Sequence, residues 1–224
     1  MLLTRYGIRE WMIFTLAAAF VAAAGVFLAW YWLVIAAAII WLALASFFRD
    51  PLFRKPATTD ACDFVSPADG LVCAIVEVPA HAATDGPATI VRIYLSVFNV
   101  HINRAPCAAT VMNAIHTPGK YLDVRIPESA QVNESLLLCL EHSANAGAKS
   151  MRLGVKQISG KIARHIVCAA TAGQVLARAE RYGMIKFGST TELIVPTALL
   201  ESVLVSKGDR VTGGVTVLAR MKRA

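Results

Sequence analysis

Three short stretches of this 224-residue chain carry side chains that could do chemistry. "VSPADGLV" (65–72) sets Asp69 in a turn between apolar runs, and "FNVHINRAP" (98–106) sets His101 just after one, with Arg104 three residues on. "KFGSTTE" (186–192) sets Gly188 and Ser189 between the apolar pairs and triplets Met184-Ile185 and Leu193-Ile194-Val195. An Asp, a His and a Ser in such contexts can form a triad: the carboxylate orients the imidazole, which takes the hydroxyl proton. Each also has an ordinary use, Asp69 as a turn former, His101 as an interfacial side chain, Ser189 in a bulge or tight hairpin. The glycine adds another option, since a bare carbonyl beside a hydroxyl suits chemistry on the chain's own backbone. The residues alone leave these readings open.

Other chemistries find no signature. The chain has no Walker A loop, HExxH, GxSxG or GxGxxG. The five histidines, His81, His101, His116, His142 and His165, do not stand at metal-ligand spacing from one another, so no catalytic metal is expected. The five cysteines (Cys62, Cys73, Cys107, Cys139, Cys168) are widely separated and form no CxxC pair, which suits buried thiols in a reducing compartment.

The elements that must position these residues fall into two regimes. Residues 11–48 contain no Asp, Glu, Lys or Arg. As one helix that stretch would span roughly 57 Å, nearly twice a hydrocarbon core of about 30 Å. Gly25 and Trp30-Tyr31-Trp32 lie near its middle, and basic residues flank both ends: Arg5 and Arg9 before it, Arg49, Arg54 and Lys55 after it. Basic flanks on both sides favour a helical membrane hairpin with both ends cytoplasmic. The stretch is too long for the apolar region of a cleaved signal peptide. The expected organisation is membrane-anchoring helices over 1–49, a Pro- and Thr-marked linker over 50–60, and a second domain over 61–224.

In that second domain, short runs rich in Val, Ile and Leu recur at 71–78, 89–98, 108–115, 135–140, 150–158 and 163–169, with Asp69-Gly70 and Asp85-Gly86 as turn dipeptides. The pattern predicts a mostly β domain, a sandwich or small barrel. The ending "VSKGDRVTGGVTVLARM" (205–221) has the turn-and-strand spacing of lipoyl-like barrel-sandwich hybrids. The net charge of +7 is scattered rather than in blocks, which suits an anionic lipid surface. Without a basic–aromatic stripe or reading motif, no nucleic-acid partner is expected.

Taken in order, "FFRDP" (47–51), "SPADG" (66–70), "FNVHINRAP" (98–106), "PGKY" (118–121), "NE" (133–134), "QISGKIARHIV" (157–167), "ERYGMIKFGST" (180–190) and "GDRVTGGVTVLA" (208–219) resemble the short, membrane-hairpin class of phosphatidylserine decarboxylase proenzymes. Three positions depart from the pattern of that class: His165 and Thr190, where an Arg is more usual, and Ser135, where a basic residue is. The resemblance implies self-processing. Ser189 Oγ attacks the Gly188 carbonyl, and ester formation, elimination and loss of ammonia turn Ser189 into a pyruvoyl group. The products are a β chain of 1–188 and an α chain of 189–224, associated as a heterodimer.

By the same resemblance, the pyruvoyl ketone forms a Schiff base with the serine amine of the phospholipid and serves as the built-in cofactor for its decarboxylation to phosphatidylethanolamine. His101, oriented by Asp69, is the implied base for self-cleavage and a candidate proton donor to Cα. Arg104 and Lys186, ahead of Lys120, Arg152 and Arg164, are candidates for the lipid's phosphate or carboxylate. The competing expectations are a non-enzymatic membrane-anchored adaptor with a lipoyl-like domain and a membrane-bound serine protease. The first lacks the usual helical hairpin between β halves, and the second lacks GxSxG.

Overall fold

The computed structural model describes residues 2–143, 150–161, 165–186 and 188–223. The chain divides into two compact units, Met1–Leu52 and Phe53–Ala224, with the boundary inside the 50–60 segment. The first is a helical hairpin, α1 (Ile8–Phe27) and α2 (Tyr31–Phe47). Its turn is tight: Leu28 N–H donates to Ala24 O at 3.0 Å and Trp30 N–H to Gly25 O at 2.7 Å, with Ala29 between them at φ 57°. Gly25 is needed for close approach, because a methyl there would lie 3.0 Å from Leu33 Cβ. Trp41 Nε1 donates to Thr15 Oγ1 at 2.9 Å, closing a polar contact between the two helices. The helical stretch Arg5–Phe27 is long and apolar enough to cross a membrane, whereas Tyr31–Phe47 is shorter.

The second unit is mostly β. A curled antiparallel sheet of eight strands runs in the order β13 (Arg210–Val211), β2 (Gly70–His81), β3 (Gly86–Leu95), β11 (Ser189–Pro196), β7 (Met151–Ile158), β6 (Ser135–His142), β5 (Ala109–Thr117) and β9 (Val175–Leu176). Two three-stranded sheets complete it: β1 (Asp63–Val65), β14 (Val217–Met221) and β12 (Leu200–Val203) in the order β1-β14-β12, and β4 (Ile102–Arg104), β10 (Arg181–Lys186) and β8 (His165–Cys168) in the order β4-β10-β8. One short helix, α3 (Ser129–Val132), precedes β6.

The apolar runs of the sequence become β2, β3, β5, β6, β7 and β8; residues 163 and 164 of the last run lie outside the described residues. Period-two alternation decides which side chains are inside. Along β11, Leu193 and Val195 enter the main core with Val91, Ile93 and Leu95 of β3 and Leu153 and Val155 of β7. Ile194 points to the other face, into a smaller cluster with Ile90 and Cys139. All five cysteines are free thiols, and burial pushes that of Cys107 up to about 12.

Candidate active site

The main core ends in polar side chains. Ser189 and Thr191 continue the core-facing row of β11, and Gln157 continues that of β7, directly opposite Thr191. All three are fully buried, as are His101 and Asn103. A buried amide must be hydrogen-bonded or it costs about 1–3 kcal/mol, and here the amides form a chain. Gln157 Nε2 donates to Asn103 Oδ1 at 2.8 Å, and Asn103 Nδ2 donates to Thr191 Oγ1 at 3.0 Å. These contacts tie β7, β4 and β11 together.

His101 directly precedes the strand that bears Asn103. His101 O accepts from Ile185 N–H at 3.2 Å, so anchors at Ile185 and Thr191 bracket the Gly188–Ser189 peptide bond. Ser189 Oγ shares the face of β11 that meets Asn103, and among the described residues it has no hydrogen-bond partner. The "bulge or hairpin" reading of Ser189 does not survive. From Ser189 to Pro196 the strand pairs with β3 in unbroken register, and Gly188, just before it, takes a left-handed φ of 66°. A left-handed φ strains any L side chain, so the joint itself calls for glycine.

His101 Nδ1 lies 3.0 Å from Asn99 O. With the proton on Nδ1 this is a donated bond, and Nε2 carries the lone pair that a base uses. Asn99 is held in turn through its other groups: Ser96 N–H and Oγ each donate to its side-chain Oδ1 at 2.9 Å, and its N–H donates to Ser96 O at 2.9 Å. Asp69 is placed differently from expectation. Arg54 grips its carboxylate with both terminal nitrogens, Nη2 to Oδ2 at 2.7 Å, and Gly213 N–H donates to Oδ1 at 2.8 Å. None of its hydrogen bonds goes to His101. A carboxylate has about four acceptor positions, so these three bonds leave one on Oδ2.

The expected headgroup cations separate. Arg104 is buried, with Nη1 donating to Ala179 O at 3.0 Å and its stem packed beside Gly214, where a methyl would lie 2.8 Å from Arg104 Cδ. That is the setting of a strut. Lys186, the last residue of β10, is buried two positions before Gly188. Lys120 is exposed, and Arg152 stands at the far end of β7, five residues from Gln157, or roughly 17 Å along a strand. Arg164 lies outside the described residues.

Asn99, Asn103, Gln157 and Arg54 were not singled out from the sequence. Asn99, Asn103 and Gln157 stand inside the quoted motifs, and Asn99 and Asn103 are each two residues from His101, so same-face spacing was an available signal. Nothing local marks the Asn99 carbonyl or the pairing of Arg54 with Asp69.

The family model described as phosphatidylserine decarboxylase matches residues 42–219. The chain is 38% identical over 208 residues to a phosphatidylserine decarboxylase proenzyme of Magnetococcus marinus, covering 90% of this chain and 89% of that one. It is 38% identical over 221 residues to one of Rhodopirellula baltica (98% and 88%), and 43% identical over 173 residues to one of Geotalea daltonii (77% and 76%).

Proposed function

Because this chain belongs to the phosphatidylserine decarboxylase family, we propose that it is made as a proenzyme, splits its own backbone between Gly188 and Ser189, and then decarboxylates phosphatidylserine to phosphatidylethanolamine and CO2. One observation carries the reading: a serine hydroxyl in the polar end of the core, without a hydrogen-bond partner among the described residues, directly after a left-handed glycine.

The self-processing uses groups of this chain. His101 Nε2 takes the Ser189 hydroxyl proton as Oγ bonds to the Gly188 carbonyl carbon. The Gly188–Ser189 C–N bond then breaks, the proton passes to the freed nitrogen, and an ester replaces the amide. Loss of the Ser189 α-proton breaks the Cβ–Oγ bond and releases Gly188 as a carboxylate. Water then displaces the nitrogen as ammonia and leaves a pyruvoyl group on the α chain 189–224, which stays associated with the β chain 1–188.

Asn99 O holds the tautomer of His101 that makes Nε2 the base. Asp69 supplies negative charge for the imidazolium, and its remaining acceptor position gives it capacity for that role. The pyruvoyl group supplies an electron sink for the pair left when CO2 departs, so no separate cofactor is called for. The environment fits that group: fully buried side chains surround Ser189, and exclusion of water favours loss of a charged carboxylate. His101 is then the proton donor for Cα. Lys186 is the cation proposed for the lipid headgroup, while Arg104 is assigned the strut. The apolar helix supports anchoring in the cell membrane, and the basic flanks favour placing the β unit on the cytoplasmic side.

Intact-mass measurement of the purified protein tests the proposal. Two fragments divided at Gly188–Ser189 are expected, the smaller lacking a free N-terminal amine. A full-length chain in a preparation that releases CO2 from phosphatidylserine would overturn the processing step. A full-length chain without such activity would favour the adaptor reading.

A further inference from the structure

Two glycines flank the scissile carbonyl for different reasons. Gly188 needs its φ of 66°, yet nothing lies within 4 Å of where its side chain would be. Gly160 is the reverse case. A methyl there would sit 2.1 Å from the Gly188 carbonyl oxygen, 3.2 Å from its carbon and 3.0 Å from Val124 Cγ1. Contact at 2.1 Å is far inside any tolerable separation. The α-carbon of Gly160 is therefore packed directly against the carbonyl that Ser189 would attack.

Gly160 is held there by a layered support. Ser159 N–H and Oγ both donate to Glu134 O at 2.9 Å, and Ser159 O accepts from Asn133 Nδ2 at 2.9 Å. The buried Asn133 side chain also pairs with both backbone groups of Leu122, accepting from N–H and donating to O, each at 2.9 Å. Behind it, Lys120 N–H donates to Val132 O at 2.7 Å and Glu134 N–H to Lys120 O at 3.0 Å. Gly119 is packed so closely that a methyl would meet the backbone of residues 132–134 at 2.5 Å. Residues 119–122, Asn133-Glu134 and Ser159-Gly160, to which the self-cleavage chemistry assigns nothing, thus form successive layers behind one carbonyl oxygen.

We propose that Gly160, backed by Asn133–Glu134 and residues 119–122, is the seat of the scissile carbonyl. This rests on the self-cleavage proposed above. The seat fixes the rotation of the Gly188–Ser189 peptide so that its carbon faces Ser189 Oγ. It also leaves the oxygen room to move as the carbon becomes tetrahedral. When Oγ–C forms, the carbonyl electron pair moves onto this oxygen; when C–N breaks, the pair returns and the ester carbonyl occupies the same seat. Gly160 is a positioning residue for the first step, the nitrogen-to-oxygen acyl shift. A displacement of about 1 Å at a reacting centre costs on the order of 100-fold in rate.

The test compares full-length wild type, Gly160→Ala, Gly154→Ala, Asn133→Asp and Ser189→Ala in detergent, following the split at 188–189 by intact mass over time. Gly160→Ala is expected to stay folded with a lowered melting temperature and to cleave at least ~100-fold more slowly than wild type. Added hydroxylamine, which cuts an accumulated ester, should release no extra fragments from it, because slow ester formation leaves none to accumulate. Gly154→Ala places its methyl 2.6 Å from that of Ala83, a steric insult on β7 away from the scissile bond, and should likewise lower the melting temperature while leaving cleavage within about threefold of wild type. Asn133→Asp turns the donor facing Ser159 O into an acceptor and should slow cleavage ~10-fold. Folded Gly160→Ala cleaving at wild-type rate, or releasing extra fragments on hydroxylamine treatment, would overturn the seat. If Gly160→Ala does not fold, Asn133→Asp decides, and its cleavage at wild-type rate would overturn it equally. Wild type intact at Gly188–Ser189 would instead remove the self-cleavage reading beneath it.

Discussion

The two halves of the proposed site are held by different physics. At the closed end of the core, Ser189, His101, Asn103, Gln157 and Thr191 are fully buried, and all but the Ser189 hydroxyl are held by hydrogen bonds in which amide and ring nitrogens donate to an amide oxygen, a hydroxyl and a backbone carbonyl. Nearer the surface, Asp69 and Arg54 remain 14% and 11% exposed and are fixed by an ion pair. Charges taken fully out of water lose several kcal/mol of hydration, whereas neutral amides lose less and recover it in one another. The nucleophile and base can therefore sit dry, while the carboxylate keeps access to water and a counter-ion. The contrast implies that the dry half governs whether the backbone can be attacked, and the charged half governs how fast.

Removing the attacking groups should give the largest effect. Ser189→Ala should leave the chain uncleaved and without decarboxylase activity, since alanine provides neither a nucleophile nor a leaving group. His101→Ala should slow self-cleavage by ~100- to 10,000-fold, the usual weight of a general base. Time courses by gel would show it, and cleavage at wild-type speed would remove His101 from the mechanism.

The charged half is sharpened by pairing two variants. Asp69→Asn removes the negative charge, whereas Arg54→Gln removes only the clamp and leaves the carboxylate on Gly213 N–H. Asp69→Asn is expected to slow processing ~100-fold and Arg54→Gln about tenfold less. Equal losses, with no further loss in the double variant, would mean that Asp69 merely fastens residues 54 and 213 and does not serve His101.

Much of this was legible in the sequence, for physical reasons that also explain what was not. Alternating Val, Ile and Leu runs mark strands because a half-buried strand must alternate, and the charge-free block 11–48 marks helices because apolar stretches of that length satisfy their own backbone. The Asp69, His101 and Ser189 stretches were visible because reactive residue types between strands are few. Contacts between distant backbone groups leave no such trace. Asn99 acts through its carbonyl, which every residue has, and Arg54 is one of several linker cations until folding brings it to Asp69. In the sequence, Gly188-Ser189 between apolar runs reads equally as a bulge or a tight hairpin. Of residues 188–191 only Gly188 lies outside the strand: Ser189 pairs with Leu95 of β3, and Thr190 and Thr191 pair with both β3 and β7.

The amide chain gives the next smaller effect. Asn103→Ala leaves Gln157 and Thr191 without their partner in a dry site, a loss of about 1–3 kcal/mol that a thermal or urea melt would register. It should also slow processing by severalfold, because the same amide holds the strand that follows His101 against β11. Loss of stability with unchanged processing would show that the closed end tolerates disorder and that the seat behind Gly188 alone fixes the geometry.

A second ion pair gives the smallest effect and the cleanest control. Asp63, buried on β1, receives Arg220 Nε at 2.6 Å from β14, in a sheet that carries none of the proposed catalytic groups. The hydrogen bond from Arg220, followed by that from Thr58 and the Arg220 charge, holds its carboxyl below the ordinary 3.8 against the opposing effect of burial. A carboxyl depressed by folding contributes stability above its unfolded value, and that contribution disappears as pH falls through the depressed one. Because Arg220 is 39% exposed, solvent screens the pair, and its contribution is about 1 kcal/mol or less. Melting temperatures of the uncleavable Ser189→Ala chain, with and without Asp63→Asn, should therefore differ above pH 4 and converge below it. In an otherwise wild-type chain, Asp63→Asn should leave processing unchanged. The two ion pairs share their chemistry, so a processing defect confined to Asp69 would trace its role to where its charge stands rather than to the stability that such a pair lends the fold.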